Sequence, residues 1–190
     1  MERIELKSIN STNIYAREIA KNINKNTIII SEEQTAGRGT KGKSWYSDKD
    51  SIICSFLIFP KNIKNIDANF SHDIGLLISN SLNELLNIKT YVKEPNDIYL
   101  DNKKLSGILV ETEYCKNILN YIIIGIGINV NQTKFPLNIS DIATSLYISS
   151  GKKNDIAVME AYGFDWRNMT ESDCVAELMK MYKKLIENNK

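Results

Sequence analysis

Residues with reactive side chains are scarce in this chain. It has one histidine and three cysteines among 190 residues. Cys54, Cys115 and Cys174 are widely separated and form no CxxC pair, which argues against a disulfide framework and against a zinc site. A serine or cysteine triad needs a histidine base, but His72 lies near a predicted helix start, where capping or a surface role is expected. Hydrolases of the triad type are therefore excluded.

Strong net charge and long apolar runs are also missing. The 24 Lys and Arg residues against 23 Asp and Glu residues leave a formal net charge of +1, so no global field attracts nucleic acid or anionic lipid. Residues 1–10 alternate charged and isolated apolar positions and resemble neither a signal peptide nor a membrane-spanning segment. We therefore expect a cytoplasmic protein with no nucleic-acid or membrane partner, in which any anion site is local.

The chain does contain enough apolar sequence for a core. A composition of 43% hydrophobic and 25% charged residues suits one globular domain over residues 1–190, and no repeat divides it. Helical spacing predicts helices at residues 11–21, 71–87 and 175–186, with one helical turn at residues 143–146. Short apolar runs predict strands at residues 27–30, 51–59, 91–92, 98–100, 105–112 and 121–130. This mixture favours an α+β layer fold.

The first segment suited to chemistry is the loop GRGTKGKSW at residues 37–45. Its glycines let backbone amides approach a ligand and its cations stand beside them, a combination that suits a phosphate. The spacing fits neither the GxxxxGK[ST] loop nor the GxGxxG fingerprint. By composition alone, a solvated flexible turn is the commoner structure for such a segment.

The second segment joins KEPND at residues 93–97 to KKLSG at residues 103–107 across a predicted hairpin turn. That hairpin would bring the carboxylate of Asp97 and the ammonium of Lys104 together, for proton transfer and phosphate binding respectively. Ordinary turn chemistry with solvated lysines explains the same letters.

The third segment is GIGIN at residues 125–129. Alternating glycines in an apolar strand indicate that another backbone or a ligand comes close, and Asn129 could then read a base edge. A bulged core strand ending in a turn asparagine is the alternative.

In this order, the motifs resemble those of one family. STN at residues 11–13, EEQTAGRGTKGKSW at 32–45, KEPNDIYLDNKKLSGILVE at 93–111 and GIGINV at 125–130 resemble the catalytic domain of biotin protein ligases. The resemblance spans about residues 8–147. It implies a class II synthetase-like fold with a mixed, mainly antiparallel sheet and helices packed on one face.

The resemblance also implies a reaction. Biotin and MgATP would give biotinyl-5'-adenylate and pyrophosphate, and the adenylate would acylate a lysine of a biotin carboxyl carrier protein or domain. Cations are needed there, because a carboxylate approaches a triphosphate. A lipoate or octanoate protein ligase of the same fold is the nearest alternative, and a catalytically weakened biotin-binding remnant is another. Homodimer formation is left open.

By the same resemblance, residues receive roles at the site, and none is assigned to a metal. Arg38, Lys104 and Asp97 would be catalytic, with Asp97 accepting the proton of the attacking lysine. Residues expected at biotin are Ser11, Thr12, Asn13, Gln34, Gly37, Arg38, Gly107 and Leu109. Residues expected at the nucleotide are Arg38, Gly39, Lys43, Trp45, Asn96, Lys104 and Asn129.

The sequence departs from the family pattern in places. Glu94 stands where the family usually has tryptophan, and Thr40 stands where arginine is common, which predicts looser retention of the adenylate. No helix-turn-helix segment precedes Ser11, so we expect no operator-binding role. We also expect no C-terminal β-barrel of the kind that many family members carry.

Overall fold

The computed structural model describes residues 1–60 and 66–154, whose strands form a seven-stranded sheet. The predicted helix at residues 175–186 lies outside the described residues. The loop between the second and third strands contains a short 3-10 turn at Thr40–Gly42. In chain order the elements are β1 (Glu2–Ile9), α1 (Thr12–Ile19), β2 (Thr27–Gln34), β3 (Ser51–Ile58), α2 (Phe70–Leu86), β4 (Tyr91–Lys93), β5 (Asp97–Leu100), β6 (Lys103–Cys115), β7 (Ile118–Asn129) and α3 (Leu146–Ser150).

The sheet is mixed and mainly antiparallel, as predicted. Its strand order is β1-β2-β3-β7-β6-β5-β4. β1 pairs in parallel with β2, whereas every other neighbouring pair is antiparallel. The long central strands β3 and β7 are apolar along most of their length, so the core lies against them. Within the described ranges, the helices are too short or too polar to cross a bilayer.

The two longer helices cover opposite faces of the sheet. Ala16 of α1 belongs to a buried cluster with Leu57, whereas Ile78 of α2 belongs to another with Phe56. Neighbouring residues of a strand point to opposite faces, so α1 and α2 lie on different sides. This differs from the predicted arrangement, in which the helices share one face. The reason is that β3 and β7 are apolar on both sides and need cover on both.

The hairpin between β5 and β6 follows the prediction. Its turn residues Asp101 and Asn102 have φ of 50° and 61°, the positive values that a two-residue type I′ turn requires. Tyr99 pairs with Lys104, and a register shift between Ile98 and Tyr99 then changes the pairing toward the start of β5. The hairpin therefore brings the start of β5 beside the start of β6.

Two elements differ from the sequence prediction. β1 has no counterpart among the predicted strands, and its largely exposed residues depend on pairing with β2. The predicted helical turn at residues 143–146 is wrong, because Ala143 forms a parallel bridge with Lys104 and α3 begins only at Leu146. That bridge ties the connector after β7 to the start of β6.

Candidate active site

A cleft of about 440 Å³, open to solvent, lies where β6 and β7 run beside the start of α1. The glycine-rich loop forms one wall and the β5–β6 hairpin another. The cleft therefore gathers residues from all four motifs that the sequence singled out. Its lining residues are Ser11, Thr12, Asn13, Gln34, Arg38, Gly39, Thr40, Trp45, Ile53, Cys54, Asn96, Lys104, Gly107, Ile108, Leu109, Gly125, Ile126 and Gly127.

The ring of Trp45 lies on a glycine pair in this cleft. Gly107 of β6 and Gly127 of β7 are register partners. A Cβ atom added to Gly127 would lie 2.5 Å from the Trp45 ring, and one added to Gly107 would lie 3.0 Å from it. The indole N–H of Trp45 is buried and has no hydrogen-bond partner among the described residues. The alternating glycines thus mark a close approach, as predicted, and the approaching group here is Trp45.

A buried polar network forms the cleft floor beside Trp45. The backbone N–H of Thr12 donates to Gln34 Oε1 at 2.8 Å. Ser55 Oγ lies 2.7 Å from Thr12 Oγ1 and 2.6 Å from Asn13 Oδ1. Gly125 makes room for this network, because a Cβ atom there would lie 2.1 Å from Asn13 Oδ1. Sequence reasoning missed Ser55, although a hydroxyl inside an otherwise apolar strand is a signal that could have found it.

One carboxylate joins the loop, α1 and β6. Glu111 Oε1 accepts from Arg17 Nη2 at 2.6 Å and from Arg38 Nη1 at 3.2 Å. Its other oxygen, Oε2, accepts from Asn13 Nδ2 at 2.9 Å. Neither Glu111 nor Arg17 was among the predicted site residues, because each contact joins positions 73 or more residues apart.

Lys104 stands on the opposite wall. Its Nζ atom lies 2.6 Å from Asp97 Oδ1 as an ion pair and 5.4 Å from the centre of the Trp45 ring. The backbone around it is fixed, because Lys104 N–H donates to Ile142 O and Thr144 N–H donates to Lys104 O. Arg38 and Lys104 thus line a single cleft, with the carboxylate of Asp97 next to Lys104.

Comparison with known proteins agrees with this geometry. The sequence model of the biotin/lipoate A/B protein ligase family matches residues 5–129. The chain belongs to the biotin/lipoate A/B protein ligase family.

Relatives within this family are named as biotin ligases. The bifunctional ligase/repressor BirA of Bacillus spizizenii is 37% identical over 153 residues, covering 78% of this chain and 47% of the relative. The biotin–[acetyl-CoA-carboxylase] ligase of Mycobacterium tuberculosis is 30% identical over 158 residues, covering 74% of this chain and 55% of the relative. The chain spans about half the length of these curated relatives.

A solved structure from the same family has the same fold. The biotin protein ligase from Aquifex aeolicus, in complex with biotin and ATP, is 34% identical with a TM-score of 0.71. The match covers 90% of this chain and 72% of the other. The resemblance to biotin protein ligases and the class II synthetase-like fold are thereby confirmed.

Most family positions predicted for ligands fall in the cleft lining, but four do not. Asp97 lies behind Lys104, and Lys43 is exposed on the loop. Gly37 is buried against the Trp45 backbone, where a Cβ atom would lie 2.4 Å from the carbonyl oxygen. Asn129 is buried and donates from Nδ2 to Thr144 O at 2.9 Å, while its Oδ1 has no partner among the described residues. The ligand roles of these residues stay predictions.

Asn96 and Cys54 complete the description of this family's site in the chain. Asn96 is buried and donates from Nδ2 to Ile108 O at 2.7 Å, so its side chain also holds the hairpin to β6. Burial raises the pKa of the Cys54 thiol to about 12, which leaves it protonated and unreactive at neutral pH. In the described part of the chain, no group of three or more His, Cys, Asp or Glu residues is arranged to hold a metal ion.

Proposed function

We propose that the protein is an ATP-dependent biotin protein ligase that forms biotinyl-5'-adenylate and transfers the biotinyl group to a lysine of a biotin carboxyl carrier domain. The observation that carries this proposal is the placement of Arg38 and Lys104 on the lining of one cleft whose floor is polar. The family membership and the named relatives support the choice of biotin and ATP.

The first step joins two anions. An oxygen of the biotin carboxylate attacks the α-phosphorus of ATP, and the bond from that phosphorus to the bridging oxygen breaks, so that pyrophosphate leaves with the electron pair. Charge builds on the phosphoryl oxygens as this happens, and preorganised cations lower the barrier. Arg38 and Lys104 supply those cations, and magnesium enters with the ATP as part of the substrate.

The polar floor suits the head group of the acid. The ureido group of biotin both donates and accepts hydrogen bonds. Thr12, Asn13, Ser55 and Gln34 present hydroxyl and amide groups that can do the same. The chain of hydrogen bonds among them holds each side chain in place before a ligand arrives. Such preorganisation reduces the entropic cost of binding.

The second step needs a neutral amine. The target lysine has an ordinary pKa of about 10.4, so it arrives protonated at neutral pH. Its nitrogen attacks the acyl carbon of the mixed anhydride, the carbon–oxygen bond breaks and AMP leaves. Asp97 is the proton acceptor in this proposal, since it lies next to Lys104 at the edge of the cleft.

The glycine-rich loop acts as a lid over the adenylate. Its ends are joined by hydrogen bonds from Gly39 N–H to Lys43 O at 2.7 Å and from Trp45 N–H to Gly37 O at 2.9 Å. Trp45 covers the glycine floor beneath it. A closed loop excludes water, which would otherwise hydrolyse the anhydride.

The deciding experiment incubates the purified chain with biotin, MgATP and a biotin carboxyl carrier domain. We expect pyrophosphate release that requires both biotin and ATP, and a gain of one biotinyl group on the carrier by mass spectrometry. Lipoate offered in place of biotin is the matched control. Transfer of lipoate but not biotin would support the rival ligase, and no pyrophosphate from folded protein would support a binding remnant.

A further inference from the structure

Glu111 connects both halves of the cleft. It lies on the rigid central strand β6 with a side chain 14% exposed, whereas its partners Arg38 and Arg17 are 40% and 44% exposed. Asn13 and Arg17 are four residues apart on α1, so both side chains face β6. The single carboxylate thus accepts from three donors that belong to two other parts of the chain.

We propose that Glu111 is a positioning residue that fixes Asn13 and Arg38 together, and so couples the acid-binding floor to the phosphate-binding loop. This inference rests on the proposed function only for its kinetic consequences. The placement itself follows from the contacts, because Arg38 lines the cleft while its ion pair with Glu111 is intact.

The carboxylate determines which way the Asn13 amide points. A carboxylate only accepts hydrogen bonds, so the donor Nδ2 of Asn13 faces Glu111 at 2.9 Å. The acceptor Oδ1 then faces Ser55 Oγ at 2.6 Å, directly above Gly125. A reversed amide would place an N–H group where the oxygen stands, and the floor would offer a different hydrogen-bond pattern to a ligand.

The same carboxylate limits the motion of Arg38. Arg38 belongs to the loop at residues 37–45, which has no strand partner beyond the isolated bridge from Arg38 to Ser44. An ion pair to β6 therefore provides a side-chain tie between this loop and the sheet. The two guanidinium groups and one carboxylate carry a combined charge of +1, so a positive charge is left over for an anionic substrate.

The substitution Glu111→Gln tests this arrangement at nearly constant shape. A glutamine amide has one acceptor oxygen and one NH2 donor, so it cannot accept from three donors and turns its NH2 group toward one of them. We expect a KM for biotin about tenfold higher, with a smaller change in kcat, because a displaced binding group misplaces the reacting atoms. Glu113→Gln is the matched control on the same strand and face, where the side chain is exposed.

Hydrogen exchange without any ligand tests the inference independently of activity. The reporting amides are those of Gly39 and Trp45, whose hydrogen bonds close the loop. In Glu111→Gln we expect these amides to exchange about tenfold faster, whereas Glu113→Gln leaves them unchanged. If the wild-type chain releases no pyrophosphate with biotin, the proposed function fails, and this exchange measurement still decides the role of Glu111.

A second variant guards against misfolding of the first. Arg38→Gln removes the loop end of the contact, and adding Glu111→Gln to it should raise loop exchange by less than Glu111→Gln does alone. Wild-type exchange and wild-type KM in folded Glu111→Gln would overturn the proposal. A lowered melting temperature with unchanged KM and unchanged loop exchange would also overturn it, because that result describes a purely structural residue.

Discussion

The Nζ atom of Lys104 lies 2.6 Å from Oδ1 of Asp97 at the edge of the cleft. The two residues stand on neighbouring strands of the β5–β6 hairpin, whose type I′ turn and register shift bring them together. Their side chains are 30% and 24% exposed, so solvent screens the attraction and its contribution to stability is small. The pair therefore matters more for the charge in the cleft than for the fold.

Lys104→Gln should separate catalysis from stability. Without the ammonium, the charge that develops on the α-phosphoryl group loses one of its two cations, and we expect biotin-dependent pyrophosphate release to fall about 100-fold. The melting temperature should change by only about 2 °C. Lys103→Gln is the control, since Lys103 Nζ contacts Ser140 O and is not part of the cleft lining. A wild-type rate in Lys104→Gln would contradict the proposed role.

Gly127→Ala should displace Trp45. The new Cβ atom would stand 2.5 Å from the indole ring, so the ring must move off the floor, at a cost of about 1–3 kcal/mol. Fluorescence in a Trp166→Phe background would report the changed surroundings of Trp45, and we expect a red shift with weaker adenylate binding. Gly75→Ala is the control, because its Cβ atom would meet only side-chain carbons of Val92 and Ile108 at 3.2 Å and 3.4 Å. An unchanged spectrum in Gly127→Ala would contradict the stacking.

The hairpin and the cleft motifs could be predicted because their signals are local. The turn residues Asp101 and Asn102 tolerate positive φ, and apolar alternation continues on both sides of them. β1 could not be predicted in the same way, because its residues are charged at alternate positions and largely exposed. Its strand conformation depends on pairing with β2, which is a tertiary effect.

The contacts of Glu111 and Ser55 show the same limit within the site. Each joins residues at least 42 positions apart, and no spacing rule connects them. The opposite placement of α1 and α2 did have a signal. β3 and β7 are continuous apolar runs rather than alternating ones, which is typical of strands covered on both faces.

Ligand should protect the glycine-rich loop from proteolysis. Arg38, Lys41 and Lys43 are trypsin sites within residues 37–45, and Lys41 and Lys43 are exposed. If the loop closes over biotin or its adenylate, cleavage there should slow about tenfold, because a protease needs the locally opened chain. Peptide mass spectrometry after timed digestion measures this. The control is cleavage at exposed Lys7 in β1, and equal loop cleavage with and without ligand would count against the lid.

Thr40→Arg should tighten retention of the adenylate. Thr40 lines the cleft, and a guanidinium there could form a charge-assisted hydrogen bond to the phosphoryl group. We expect release of biotinyl-adenylate to slow about tenfold in a rapid-dialysis assay. Lys41→Arg is the control, because Lys41 is exposed and does not line the cleft. Equal release from Thr40→Arg and the wild-type chain would contradict a role for this position in retention.

Alkaline pH should weaken the fold through Cys54. Burial raises the pKa of its thiol from the ordinary value of 9.0 to about 12. Above pH about 9, the unfolded chain releases this proton while the folded chain keeps it, so the free energy of unfolding falls as pH rises. The slope attributable to one thiol approaches about 1.4 kcal/mol per pH unit, and the effect is absent below the unfolded pKa.

Urea unfolding from pH about 8 to about 11 measures this slope. Cys54→Ala should lose stability less steeply than the wild-type chain, whereas Cys115→Ala, which changes an exposed cysteine, should follow the wild-type curve. Burial also raises the pKa of Tyr46 and Tyr121, but both remain in every variant, so the difference between curves isolates Cys54. Parallel curves for Cys54→Ala and the wild-type chain would mean that the thiol ionises in the folded protein as readily as in the unfolded chain.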